Sequence, residues 1–328
     1  MSEAARLATR YRRFATEEAR GRSPLYAELA EAVAADAALL DLLLTLPEAK
    51  RQPNLLLAAV RHLHGTPSGA AAFRGILAGD FPAIRAVMLA RATQTNEPAR
   101  CATLLPVLAR LPQPLALLEV GASAGLCLLP DRYGYDYGRR RLAPPGPDAP
   151  VFACTADAAT PLPDAMPRIA WRAGLDLSPV DVTDAEATAW LRTLVWPEQA
   201  GRAARLDQAL RVAARQPPRV VRGDLGRDLA ALAAEAPADA TLVIFHTAVL
   251  AYVPEQAARD AFAAEARRLA GAWVANEAPG ILPAIAARAG DPPAPGRFLL
   301  SVNGNPVAWT DPHGGEISWI AEAGTYTM

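Results

Sequence analysis

The chain has few cysteines, little net charge and no long hydrophobic run. Its 328 residues include three cysteines without C-x-x-C spacing, which argues against a structural metal site and predicts a reducing, cytoplasmic location. A net charge of -1 gives no electrostatic reason to expect nucleic acid or an anionic membrane as a partner. No segment approaches the roughly 20 apolar residues of a membrane span, and the charged N-terminus lacks the apolar core of a signal peptide.

The composition is that of a globular protein. Hydrophobic residues make up 52% of the chain and charged residues 20%, and the length suffices to bury a substantial core. Residues 1–112 show helical patterns, with start signals at Ser23-Pro24 and at Pro53 and a stop signal at Gly65. No strand pattern precedes Leu115. We therefore predict an all-α N-terminal domain over residues 1–112.

The stretch from Pro114 to Asp136 organises the rest of the chain. Leu115, Leu117, Leu118 and Val120 form an apolar run with little alternation, typical of a strand buried on both faces of a parallel sheet. Small residues at 121–125 predict a tight turn, and residues 126–129 predict the start of a helix. Such a turn places backbone N–H groups at the carboxyl edge of the sheet, where ligands of open α/β sheets bind.

Further strand patterns follow this turn. We predict parallel strands at residues 169–177, 219–225, 241–246 and 272–277, and antiparallel strands at 298–303, 307–310 and 317–320. The proline-rich residues 138–168 predict a loop, and residues 184–215 predict two helices broken at Pro197. The fold class is therefore α/β, with a mostly parallel sheet and an antiparallel C-terminal hairpin.

The pattern E-x-G-x-S-x-G at the turn resembles the first motif of class I S-adenosylmethionine-dependent methyltransferases, with Ser123 in place of the usual middle glycine. The resemblance implies a Rossmann-like sheet domain over residues 113–328, with insertions near 138–168 and 181–215. It also implies S-adenosylmethionine as cofactor. The cofactor-binding residues carried over are Glu119, Gly121, Ala122, Ser123, Gly125, Asp176 and Asp224.

Three residues receive particular roles from this resemblance. Asp176 would hold the ribose hydroxyls, although its distance from the turn is long, so that Asp136 is the alternative. Asp224 would contact the adenine. His246 follows the apolar run of residues 241–245 and is the candidate general base, because an unperturbed histidine titrates near neutral pH.

A small-molecule acceptor is expected to bind polar residues outside the cofactor motifs. Asn54 and His62 share a broad face of one predicted helix, since they lie about 80° apart at 3.6 residues per turn. Asn96 and Glu97 stand just before the first strand, and Asn276 ends the fifth strand. We therefore expect the N-terminal helical domain to form the acceptor half of the site. The oligomeric state stays open.

The whole chain also resembles a bacterial domain-of-unknown-function family, number 2332. The resemblance rests on the segments SPLYAELA, RQPNLLLAAVRHLHG, TQTNE, EVGASAGL, VWPEQ and FHTAVLAYVP. This second resemblance is the closer one, and it implies no activity.

Three other interpretations of the turn remain open. As G-x-S-x-G, it matches the nucleophile elbow of serine hydrolases, with Ser123 as nucleophile, His246 or His313 as base, and Asp224 or Asp239 as acid. The chain could also keep the fold and bind a ligand without performing chemistry. Finally, the small residues could serve close packing alone.

Overall fold

The computed structural model describes residues 1–320 and divides the chain into two compact units. Unit 1 comprises residues 1–95 and 185–204, and unit 2 comprises residues 96–184 and the chain from 205 onward. The predicted domain boundary at 112 differs because residues 96–102 hydrogen bond to the turn and strand ends of unit 2. Residues 185–204, predicted as part of an insertion in the sheet domain, group with the N-terminal helices.

Eleven α-helices are present in the described part of the chain. They are α1 (Glu3–Arg13), α2 (Pro24–Ala34), α3 (Ala37–Leu44), α4 (Pro53–His64), α5 (Ala70–Ala90), α6 (Cys101–Leu108), α7 (Ala185–Thr193), α8 (Ala200–Arg215), α9 (Leu229–Ala233), α10 (Gln256–Leu269) and α11 (Pro283–Ala286). Within residues 1–320, none of them combines the length and the apolar composition that a bilayer crossing requires.

The predicted helix boundaries in unit 1 are confirmed. Helix α2 begins at Pro24, and the Ser23 hydroxyl accepts a hydrogen bond from the Tyr26 N–H. Helix α4 begins at Pro53 and ends before Gly65, whose φ of 76° suits a residue without a side chain. Helix α5 is kinked at Asp80, whose φ and ψ are not helical.

Unit 2 contains two sheets. The strands are β1 (Leu115–Val120), β2 (Gly134–Asp136), β3 (Arg141–Leu142), β4 (Val151–Ala153), β5 (Thr155–Ala156), β6 (Ile169–Asp176), β7 (Val220–Arg222), β8 (Thr241–Thr247), β9 (Ala272–Glu277), β10 (Phe298–Val302), β11 (Asn305–Thr310) and β12 (Glu316–Trp319). The large sheet has the order β5-β12-β11-β10-β9-β8-β1-β6-β7, and the small sheet the order β3-β2-β4.

The five strands β7, β6, β1, β8 and β9 run parallel, β9 to β12 pair antiparallel, and β5 is added parallel to β12 at that edge. The mixed α/β class and the antiparallel C-terminal hairpin are thus confirmed. After β1 the chain builds outward through β6 and β7, then returns to place β8 on the other side of β1. The strand order reverses there, which makes the carboxyl ends of β1 and β8 the switch point of the sheet.

The connection from β1 to β6 differs from the prediction. Short 3₁₀ turns at Leu126–Leu128 and Pro130–Arg132 stand where the sequence predicts a helix start. Pro130 follows within one turn and favours an early end. The segment predicted as a loop then forms β3, β4 and β5, whose few residues show too little alternation to be recognised.

Both faces of the central strands are buried. On one face, Leu118, Ile244 and Trp273 belong to the same apolar cluster as residues of α9, α10 and α11. On the opposite face lie Glu119, which is in register with Phe245, and Thr247. The sheet therefore separates His246, on the α10 side, from Glu119 and Thr247 on the other.

Candidate functional site

Every backbone N–H of the glycine turn at the switch point is engaged. The donors and acceptors are Gly121 N to Leu175 O (2.8 Å), Ala122 N to Leu175 O (3.3 Å), Ser123 N to Asp176 Oδ2 (2.8 Å), Ala124 N to Asn96 Oδ1 (3.1 Å) and Gly125 N to Ala122 O (2.7 Å). The turn is therefore fixed by the end of β6 and by one side chain that precedes the sheet.

The two glycines of the turn are needed for packing. A Cβ at Gly121 would lie 2.3 Å from Cγ2 of Val249, and one at Gly125 would lie 2.7 Å from Cγ of Pro218. Both glycines also have positive φ, 70° and 68°. Protein atoms thus fill the space beside each glycine, and this observation favours the packing interpretation for the two glycines themselves.

Asp176 links the turn to the end of β6. Its Oδ2 accepts the N–H of Ser123 at 2.8 Å, and its Oδ1 accepts the N–H of Ser178 at 2.7 Å. The side chain is half-buried. Because each carboxylate oxygen has two lone pairs, each retains one acceptor position beyond these bonds. Asp176 is therefore an oriented carboxylate with capacity for further donors.

Asp224 lies at the neighbouring strand end. The N–H of Gly223 donates to the carbonyl of Asp176 at 3.0 Å, which brings the ends of β6 and β7 together. Asp224 Oδ1 accepts the N–H of Gly226 at 2.9 Å. Asp136, the alternative ribose ligand, lies instead on β2 of the small sheet and accepts the N–H of Gly138. The structure thus brings Asp176 and Asp224, and not Asp136, to this edge of the large sheet.

Asn96 clamps the turn from outside. Its Nδ2 donates to Ser123 Oγ at 3.0 Å, and its Oδ1 accepts the Ala124 N–H at 3.1 Å. Ser123 has a φ of 50°, which is strained for a residue with a side chain. The carboxamide of Asn96 thus holds both the hydroxyl of Ser123 and the N–H of Ala124.

Arg100 ties the same segment to β8. Its Nη1 donates to the carbonyl and the hydroxyl of Thr247 at 3.1 and 3.2 Å, and its Nε donates to the carbonyl of Pro312 at 2.8 Å. Glu97 Oε1 accepts the Ala99 N–H, and Glu97 Oε2 is 3.6 Å from Nδ1 of His313. Arg100 is not predicted from the sequence; its one signal there is a charged residue at the start of an apolar helix.

Glu119, on β1, is buried close to Arg100 and Cys127. Burial raises the pKa of its carboxyl well above the ordinary value, Cys127 adds to the rise and Arg100 opposes it. Its Oε2 has no hydrogen-bond partner among the described residues. Asn276, on β9 and level with Thr247, is fully buried as well, and its Oδ1 accepts the Thr310 hydroxyl at 2.8 Å.

His246 is fully buried on the other face of the sheet. Its Nε2 accepts the indole N–H of Trp273 at 3.1 Å, so the ring proton resides on Nδ1, which donates to Glu277 Oε1 at 2.7 Å. Glu277 also accepts the N–H groups of Val249 and Leu250. Both nitrogens of His246 are therefore engaged, and Glu277, to which the ring donates, holds the segment after β8 in place.

The predicted acceptor residues of unit 1 serve that unit itself. The Trp196 indole donates to Asn54 Oδ1 at 3.0 Å, and the ring of His62 packs edge-on against Trp190 at 5.5 Å. These contacts hold residues 185–204 against helix α4. An acceptor role for the helical domain stays a prediction.

Glu198 adds a helix cap to the same unit. Its two carboxylate oxygens accept the Ser23 hydroxyl at 2.6 Å and the Leu25 N–H at 3.1 Å, at the first turn of α2. The segments SPLYAELA and VWPEQ are thus joined by a contact within unit 1.

Comparison with known proteins places the chain in a family. The family model described as an uncharacterized protein conserved in bacteria (DUF2332) matches residues 8–319, and the chain belongs to this family. A solved structure described as a possible exported protein from Bordetella parapertussis is similar at 16% identity, covering 83% of this chain and 69% of the other, with a TM-score of 0.27. A search of curated proteins found no match.

Proposed function

We propose that unit 2 binds S-adenosylmethionine at the switch point and transfers its methyl group to a small-molecule acceptor. The observation that carries the proposal is Asp176, a carboxylate fixed by the glycine turn at the carboxyl end of the strand beside β1. Ligands of open α/β sheets bind at this position. In chain order the five parallel strands stand 3-2-1-4-5, the order of the first five strands in doubly wound nucleotide-binding folds.

The residues at this edge fit a nucleoside. Asp176 keeps one acceptor position on each oxygen, which suits the two vicinal hydroxyls of ribose. The next residue, Leu177, is 66% exposed and offers an apolar surface to a purine. Asp224, on the neighbouring strand end, is the acceptor for an exocyclic amino group.

The motif implies that the glycine turn binds the cofactor directly, but we propose that most of the turn shapes the site without contacting the ligand. Its N–H groups already have acceptors, so Gly121, Ala122 and Gly125 shape the site and contact the ligand little. Glu119 lies buried on β1, two residues before the turn begins.

The chemistry itself would come from the cofactor. S-adenosylmethionine, when bound, supplies a methyl group on a sulfonium to a nucleophilic atom of the acceptor. The proposal does not use His246 as a base, because both of its ring nitrogens bond to protein groups.

A second candidate function is ligand binding without catalysis. The engaged nitrogens of His246 favour it, since this candidate general base bonds to Glu277 and Trp273.

Calorimetry with S-adenosylmethionine and S-adenosylhomocysteine tests the proposal, with Asp176→Asn as the variant and Asp136→Asn as its matched control. We expect both ligands to bind, and Asp176→Asn to weaken them while Asp136→Asn does not. Equal affinities in the two variants would contradict the proposal that Asp176 binds the ribose hydroxyls. Binding without turnover over a broad acceptor panel would select the second candidate.

A further inference from the structure

We propose that the Asn96 side chain is a displaceable cap on the glycine turn, and that the α-amino acid end of a ligand takes its place. The inference rests on the proposed function, because it names how the methionine end of that ligand would be received. It makes Asn96 a residue that controls access to the turn.

Asn96 differs from the other acceptors of the turn in where it comes from. The N–H groups of Gly121 and Ala122 donate to the carbonyl of Leu175, and that of Ser123 donates to Asp176; both acceptors lie at the end of β6. The N–H of Gly125 donates to the carbonyl of Ala122, within the turn itself. Asn96 lies in the irregular segment 91–97, outside both sheets. Removing its side chain would free one N–H and one hydroxyl and leave every strand pair in place.

The two groups that Asn96 covers suit a carboxylate. Ala124 N–H donates to the carboxamide oxygen at 3.1 Å and would donate equally to a carboxylate oxygen. The Ser123 hydroxyl now accepts from Nδ2 at 3.0 Å, and a hydroxyl can also donate, so it can reverse its role toward an anion. A charged acceptor forms the stronger bonds of the two.

The charge nearby selects the kind of ligand. Asp176 Oδ2 is bonded to the N–H of Ser123, so a negative charge already stands beside the position. A dianionic phosphate would be repelled by the Asp176 carboxylate, because it brings no positive group of its own. A zwitterionic α-amino acid brings an ammonium group together with its carboxylate, and the ammonium offsets Asp176. The geometry therefore points to an amino acid end group.

The amide resonance of Ala124 in the ¹⁵N-labelled full chain tests the cap directly. Titration with L-methionine alone should shift this resonance in the Asn96→Ala variant at about 30-fold lower concentration than in the wild-type chain, the effect of removing two competing hydrogen bonds. The Asn96→Asp variant retains an acceptor for Ala124 N–H and adds a negative charge. Its response to methionine should be no stronger than that of the wild type.

Several outcomes would overturn the cap. Equal or weaker responses in Asn96→Ala would mean that Asn96 holds the turn in its binding shape. If methionine shifts the Ala124 resonance in none of the three proteins, the proposed amino acid subsite is refuted. If Asn96→Ala fails to fold, a stronger methionine response in Asn96→Asp than in the wild type would still refute the proposal, and a weaker one would support it.

The proposed function is judged separately with 5′-methylthioadenosine, which lacks the amino acid end. Its affinity should depend on Asp176 and stay unchanged in Asn96→Ala. Failure of this nucleoside to bind, with the methionine response intact, would refute the adenosine site and leave the cap standing.

Discussion

Replacing Asp176 with alanine tests its structural role at the glycine turn. The change removes the acceptor of the Ser123 N–H at 2.8 Å and that of the Ser178 N–H at 2.7 Å. The first of these bonds orders the glycine turn, and the second orders the loop after β6. The effect should therefore be seen at the ends of β1 and β6.

The size of the effect follows from the two bonds. A hydrogen bond to a charged group contributes about 1.5–3 kcal/mol, and the half-buried position of Asp176 favours the lower end of that range. Two bonds give a loss of about 3 kcal/mol. Asp176→Asn should lose roughly half of this amount, because the carboxamide still accepts one of the two N–H groups.

Hydrogen exchange of the β1 and β6 amides at low urea concentration measures this loss locally. Asp136→Ala is the matched control, since that aspartate accepts one exposed N–H, from Gly138, in the small sheet. We expect faster exchange in β1 and β6 for Asp176→Ala and little change there for the control. Unchanged exchange in Asp176→Ala would refute the view that this carboxylate holds the turn.

Three further predictions concern the surroundings of the turn. Because burial raises the pKa of Glu119, the folded state holds its proton more tightly than the unfolded state, and stability falls as pH rises above the ordinary glutamate value. Glu119→Gln should therefore raise the melting temperature progressively from pH 5 upward and leave it unchanged at low pH; an equal effect at every pH would contradict this. Gly121→Ala should cost about 2 kcal/mol through the contact with Val249 and the positive φ, and Val249→Ala should relieve part of it in a double-mutant cycle. Strict additivity in that cycle would refute the contact. His246→Ala should cost about 3 kcal/mol or more in urea unfolding, because it leaves buried partners unpaired; a variant of wild-type stability would contradict the structural role.

The central strands of the large sheet could be predicted because their sequences are mostly apolar. The run from Leu115 to Val120 shows little alternation, and the strand is buried on both faces. The strand at 272–277 begins with a similar apolar run and has the predicted limits. By contrast, β3 and β5 have two residues each, too few for any periodicity to appear.

The contacts of the candidate site could be predicted only in part. The sequence indicated that Asn96 and Glu97 stand before the first strand, and it placed Asp176 at a strand end. Which groups these side chains bond to depends on long-range packing, as for Asn96 and Ser123. Likewise, nothing in the local sequence of His246 reveals that Trp273 and Glu277 engage its two nitrogens.

Calorimetry with 5′-methylthioadenosine and S-adenosylhomocysteine shows whether the full chain has a nucleoside site. We expect both adenosine ligands to bind and Asp176→Asn to weaken both by a similar factor, because the nucleoside is their common part. A folded wild-type chain that binds neither ligand would refute the proposed site.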